Sequence, residues 1–196
     1  HFPNLRTFAM RGTGSFVHLK HACLDRLVFE SYGLADDVVT GLQDADLPSL
    51  THLEVWPGAE TFGRTCQVED IIAVLQTAKL PNLCSLAIRN ADFADLFVAR
   101  LVEVIESVPG LRRLDLSDSI LTDRGLDVLL GAPLAEQLEQ LILDRCYITP
   151  EAGERAVSVI SGQVSLRQIQ GIVPVGLREI GVVPRPAPKE IVEGRR

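Results

Sequence analysis

The chain has 196 residues, is 46% hydrophobic and carries a formal net charge of −7 with a pI near 5.1. That length and apolar content exclude a disordered chain and allow one domain, or one short array, with a sizeable core. The acidic balance argues against a general binder of nucleic acid or of anionic membrane, and no run approaches the roughly 18 apolar residues of a membrane-spanning helix.

The chain opens on HFPNLRTF, with neither a methionine nor a signal segment, and reads as a fragment or processed piece of a longer chain. Leu5, Phe8 and Met10 begin a spacing that returns along the whole sequence. It recurs at Leu24, Leu27 and Phe29, at Leu50, Leu53 and Val55, and at Leu83, Leu86 and Ile88. It recurs again at Leu111, Leu114 and Leu116, then at Leu138, Leu141 and Leu143, with a weakened copy at Leu166 and Ile169. The last three intervals are 28, 27 and 28 residues, the mark of a repeat architecture. Within each copy the fourth and sixth positions fall on one face of a strand.

The segments between copies change to helical spacing. VEDIIAVLQTA places Ile71, Ile72, Val74 and Leu75 on one face, and LFVARLVEVIESV does the same with Phe97, Leu101, Val104, Ile105 and Val108. Thr149, Pro150 and Glu151 supply an N-cap, a first-turn proline and an acidic first turn. Pro48, Pro81 and Pro109 end helices ahead of the next strand. The first interval, 19 residues, is too short for a good helix, and the third reaches 33 through extra residues in PGAETFGRTC, an insertion of the kind that often carries function. Residues 1–171 therefore read as an array of about seven strand–helix units. Residues 172–196 read as a capping segment, in which Leu177, Ile180 and Val182 imitate the motif, and a proline-rich tail.

The pattern resembles the leucine-rich repeat, L-x-x-L-x-L-x-x-(N/C)-x-L, with Cys146 and Ile148, and Ser119 and Leu121, at its last two marked positions. The long period and the stretches ITPEAGERAV and LTDRGLDVLL resemble the ribonuclease-inhibitor type. LDRLVFESYGL, DLPSLTHLEVWPG and VEDI are similar to a bacterial group of cytoplasmic repeat proteins. The resemblance implies an α/β solenoid, curved, with a parallel sheet on its concave side and helices on its convex side. It also implies a structural role for Cys146 in the turn. Physics leads to the same shape. One unit cannot bury its own apolar face, and helices packed at about 8–10 Å opposite strands spaced at about 4.8 Å force an arc.

On such a strand the third, fifth and seventh positions face the concave side. The third gives Thr7, Arg26, His52, Ser85, Arg113, Gln140 and Gln168, and the fifth gives Ala9, Val28, Glu54, Ala87, Asp115, Ile142 and Gln170. The seventh gives Arg11, Glu30, Trp56, Arg89, Ser117, Asp144 and Ile172. Trp56, the single tryptophan, adjoins the insertion, with Glu30 and Arg89 expected on neighbouring strands. Tryptophan and arginine are the commonest binding hot spots. Glu30, Glu54, Trp56, Arg89, Arg113 and Asp115 are the candidate partner-binding residues. The competing reading places Trp56 beneath its own loop as local core.

Other chemistry is thin. His18, His21 and Cys23 have loose metal-ligand spacing without a second pair at finger-like distance, so no metal or cofactor is expected. His52 with Glu54 lacks a nucleophile motif, and no phosphate-binding, dinucleotide or hydrolase signature occurs. The four scattered cysteines read as free thiols in a cytoplasmic protein, with Cys23 and Cys84 in the core. Asp36, Asp37, Glu69 and Asp70 read as solvated first-turn carboxylates. The expectation is a non-enzymatic module that binds a protein partner, not nucleic acid or membrane. The alternative is a structural or substrate-recruiting part of a larger enzyme or toxin-like protein.

Overall fold

The computed structural model describes residues 2–12, 14 and 18–169. Among the described residues, seven strands form one parallel sheet in sequence order: β1 Thr7–Arg11, β2 Arg26–Glu30, β3 His52–Trp56, β4 Ser85–Ile88, β5 Arg113–Asp115, β6 Gln140–Ile142 and β7 Gln163–Ser165. The returning segments hold α1 Asp36–Thr40, α2 Val68–Thr77, α3 Ala94–Glu103, α4 Asp123–Leu130, α5 Pro133–Gln137 and α6 Pro150–Val159. Parallel order without a skipped neighbour, with helices on one face, is an α/β leucine-rich-repeat solenoid whose sheet lines the concave side. Residues 172–196, read as cap and tail, lie outside the described residues.

The register follows from the leucines. Phe8, Leu27, Leu53, Leu86, Leu114 and Leu141 stand side by side across six strands, and Met10, Phe29, Val55 and Ile88 form the next inward row. Leu86, Ile88, Leu114, Leu116, Leu141 and Leu143 are fully buried between sheet and helices. Phe97 and Leu101 of α3 and Leu126 and Leu129 of α4 close this core from the helical side.

A second ladder, absent from the sequence reading, ties the helix starts together. The backbone N–H and hydroxyl of Thr122, the N-cap of α4, donate to the two carboxylate oxygens of Asp95 on α3 at 2.8 and 2.6 Å. Thr149, the N-cap of α6, repeats the arrangement on Asp123 of α4 at 2.8 and 2.7 Å, and its hydroxyl oxygen also accepts from Ala152. Each first-turn carboxylate thus caps its own helix electrostatically and fixes its neighbour's start. Asp70 is likewise engaged, closing a capping box by accepting from the Gln67 N–H at 2.7 Å.

The last unit departs from the expected register. The seventh strand is Gln163–Ser165, with Val164 opposite Leu141, and not the segment starting at Leu166. Three residues separate the end of helix α6 from Gln163, and Gly162 permits the close return: a Cβ there would lie 2.1 Å from the Glu139 carbonyl oxygen. Leu166 consequently takes the inward position held by Leu143 one unit earlier and packs against Gly153 of α6. Gln168 occupies the post-strand turn with φ 55°, the conformation of Asn90, Asp118 and Arg145 at the same place in preceding units. It is therefore not a third-position concave residue; Gln170 and Ile172 lie outside the described residues.

Three smaller differences have physical causes. Helix α3 stops at Glu103, and a 3-10 turn over Ile105–Ser107 completes the stretch expected to be helical. Pro133 starts the extra short helix α5, which the repeat pattern does not mark. Cys84, which directly follows the core Leu83, is exposed and Cys23, which directly precedes the core Leu24, is half-buried, whereas Cys66 and Cys146 are buried. Cys146 donates its thiol to the Leu116 carbonyl at 3.2 Å, and Ser119 at the equivalent turn donates its hydroxyl to the Ile88 carbonyl at 3.3 Å. Burial pushes the Cys146 thiol up to about 12.

Candidate functional site

The concave face brings Glu54, Trp56, Arg89, Arg113 and Asp115 into one polar network. Glu54, on β3, is only 7% exposed because four neighbours cover its carboxylate. Trp56 donates its indole N–H to Glu54 Oε1 at 2.7 Å, Arg26 from β2 donates to Oε2 at 2.5 Å, and His52 Nε2 lies 3.2 Å from Oε2. Arg89, just beyond β4, places its guanidinium 4.5 Å from the Trp56 ring centroid and 3.7 Å from Glu54. Burial opposes ionisation of Glu54, yet the hydrogen bonds from His52 and Trp56 and the charges of Arg26 and Arg89 outweigh it and pull the carboxyl down to about 2.

The network continues past Arg89. Its guanidinium donates to Asp118 at 2.9 Å and approaches Asp115 at 4.0 Å. Asp118 also binds Arg145 in a two-pronged pair, with one contact at 2.7 Å and a second between Nε and Oδ1. Burial raises the Asp118 carboxyl, but the bond and charge of Arg145, then Arg89, carry it below the usual carboxylate range. Asp115 is buried and accepts the Ser117 hydroxyl at 2.5 Å, while Arg113 donates to Gln140 at 2.6 Å and stands 3.9 Å from Asp115.

Glu30 sits opposite Trp56 in the register but pairs outward with Arg11 at 2.7 Å. Asp118 and Arg145 are participants that the strand-position reading missed. They lie one place beyond the seventh position in consecutive units, so extending the repeat alignment into the turn would have found them.

His52 also binds Ser85 across the strand pair, with Ser85 Oγ 2.7 Å from Nδ1. An ionised Glu54 can only accept here, so His52 Nε2–H donates to it. The order serine, histidine, carboxylate is that of a hydrolase triad, but this carboxylate is already saturated by two arginines and an indole. The Ser85 backbone N–H donates to the Thr51 carbonyl and is committed to the sheet. The arrangement holds a side chain in place; it does not present an oxyanion site.

The insertion after β3 is held from both sides. Ala59 N–H donates to the Tyr32 carbonyl, and Thr65 and Cys66 N–H groups donate to the Leu34 carbonyl. On the other side the buried Arg64 binds Asp92 at 3.1 Å, donates to the Cys66 carbonyl and lies 4.6 Å over the Phe93 ring. The named partners of Trp56 are Glu54 and Arg89, on the sheet. The loop instead exposes Phe62, whose ring lies 6.4 Å from that of Tyr32.

No family model matches the chain. Over 128 residues, 62% of the chain, it is 31% identical to a ribonuclease inhibitor from Sus scrofa. The chain has the leucine-rich-repeat fold and is similar in sequence to a ribonuclease inhibitor. The array spans only about a quarter of that relative, the match covering 26% of it. A crystal structure of a Bacteroides fragilis protein superimposes with a TM-score of 0.73 at 24% identity, over 79% of the array's chain and 44% of its own, and shares the fold. Among the described residues, no helix of the array is long and apolar enough to cross a membrane, and no group of three or more His, Cys, Asp or Glu side chains is placed to hold a metal ion.

Proposed function

We propose that the array is a non-enzymatic module that binds a protein partner across its concave sheet and strand-end loops. Glu30, Glu54, Trp56, Arg89, Arg113 and Asp115 are its central contacts. The observation that carries this reading is the Arg89–Trp56 stack set among paired charges in the middle of an open sheet. An aromatic–arginine centre within a polar surround is the composition of a binding hot spot. The carboxylates around it are already neutralised by arginines, so the surface is electrostatically prepared and its side chains lose little freedom when a partner docks. The Sus scrofa relative, a ribonuclease inhibitor, supports a protein as the class of partner. Free thiols support a reducing, cytoplasmic setting.

The test is capture of partners from the source cell by the intact protein, followed by affinity measurements on variants. Trp56→Ala should weaken binding of the captured protein by about 2 kcal/mol or more. Arg113→Ala should weaken it less and mainly alter its salt dependence. A partner bound with unchanged affinity by a folded Trp56→Ala variant would remove the concave centre from the interface.

A further inference from the structure

The insertion loop is an irregularity of the repeat that the concave network does not use. It lengthens the third unit to 33 residues and sets the exposed Phe62 beside Tyr32, which follows β2. Tyr32 is 48% and Phe62 44% exposed, with their rings tilted at 52° to one another. Their backbones are interlocked: a Cβ on Gly33 would lie 2.1 Å from the Phe62 carbonyl oxygen, and one on Gly58 would lie 1.7 Å from that of Tyr32. The pair is therefore a fixed feature of the strand-end rim, and docking against it costs little ordering.

Its surroundings are acidic. Glu60 lies in the same 3-10 turn as Phe62, and Asp36 reaches the loop through a 2.7 Å bond accepted from the Thr65 hydroxyl, with Asp37 beside it. The neighbouring arginines are engaged, Arg64 by Asp92 and Arg11 by Glu30. Among the described residues, Glu60, Asp36 and Asp37 thus face solvent without an ion-pair partner. This differs from the concave centre, where every carboxylate of the network meets an arginine.

The geometry points to a second contact of the array, in which the Tyr32–Phe62 pair binds a cationic segment of a partner protein that carries lysine or arginine beside apolar residues. Two aromatic faces attract a cation and bury its aliphatic stem. The three carboxylates supply the complementary rim, and the charge of −7 disfavours an anionic occupant. The inference rests on the reading of the array as a protein-binding module and adds the chemistry of one site to it.

The experiment is selection of a random dodecapeptide library on the full chain, followed by affinity measurement of the enriched peptides on three variants. Enriched sequences should carry net positive charge with interspersed apolar residues. Their binding should weaken at least about tenfold in Tyr32→Ser/Phe62→Ser. It should also weaken in Glu60→Lys/Asp37→Lys, whose exposed positions leave folding intact, and on raising salt. Trp56→Ala should leave it unchanged. Absence of enrichment, neutral or acidic peptides, or equal affinity for both rim variants would overturn the proposal. Peptides lost in Trp56→Ala but retained by the rim variants would overturn it while leaving the concave reading standing.

Discussion

The Arg89 guanidinium lies 4.5 Å from the centroid of the Trp56 ring, whose N–H is directed at the buried carboxylate of Glu54. The tryptophan therefore serves two neighbours at once, as an apolar platform for one charge and a hydrogen-bond donor to another. Trp56→Phe keeps the platform and deletes the donor. It should destabilise the protein by about 1–3 kcal/mol, the range for a bond to a charged group left unsatisfied. Urea unfolding checks this; an unchanged midpoint would mean that solvent satisfies Glu54 equally well.

Glu54 also predicts the acid limb of stability. Its folded pKa, about 2, lies below its ordinary value of 4.5. Its contribution is therefore complete above about pH 4.5 and is lost as pH falls through about 2. Wild type should exceed Glu54→Gln by about 1–2 kcal/mol at pH 7, allowing for partial screening. The difference should shrink steadily between pH 4.5 and pH 2 in parallel denaturation series. A constant difference across that window would show that the carboxylate charge is not the source.

Two glycines in the insertion separate steric need from conformational need. Gly58 has φ +75° and no room for a Cβ beside the Tyr32 carbonyl, whereas Gly63 has φ +83° and open space around it. Gly63→Ala should cost about 1 kcal/mol, the strain of a left-handed alanine. Gly58→Ala should cost more than about 3 kcal/mol, since the two strand-end segments must separate. Thermal melts of both variants test the ranking, and equal losses would contradict the interlocked loop.

Thiol reactivity should follow burial. Cys84 should react promptly with a disulfide reagent in the native protein. Burial pushes the Cys66 and Cys146 thiols up to about 12, so these two should react only on unfolding. Four thiols should titrate in denaturant. A count of two, or early labelling of Cys146, would contradict the buried turn.

The core register has its own test. Leu114 is fully buried in the middle of the inward row, and Leu114→Ala should cost about 2–5 kcal/mol through lost transfer energy and the cavity left behind. Measured urea midpoints decide it; an unaltered midpoint would place Leu114 outside the core.

The sequence by itself determined the parallel order, the strand positions of the first six units and the inward leucine rows. A strand has a side-chain period of two, and each unit repeats the same apolar spacing, so Leu27, Leu53, Leu86, Leu114 and Leu141 admit one alignment. Only the tertiary structure decided the final strand. Leu166 and Ile169 carry the motif spacing, but the missing Cβ of Gly162 lets the chain return five residues early and pack Leu166 against Gly153. The same holds for the concave charges. Spacing placed Glu54, Arg89 and Asp115 on one face. Long arginine side chains can reach carboxylates on their own strand, the next strand or the turn beyond, so their pairing depended on the assembled positions of Arg26, Asp118 and Arg145.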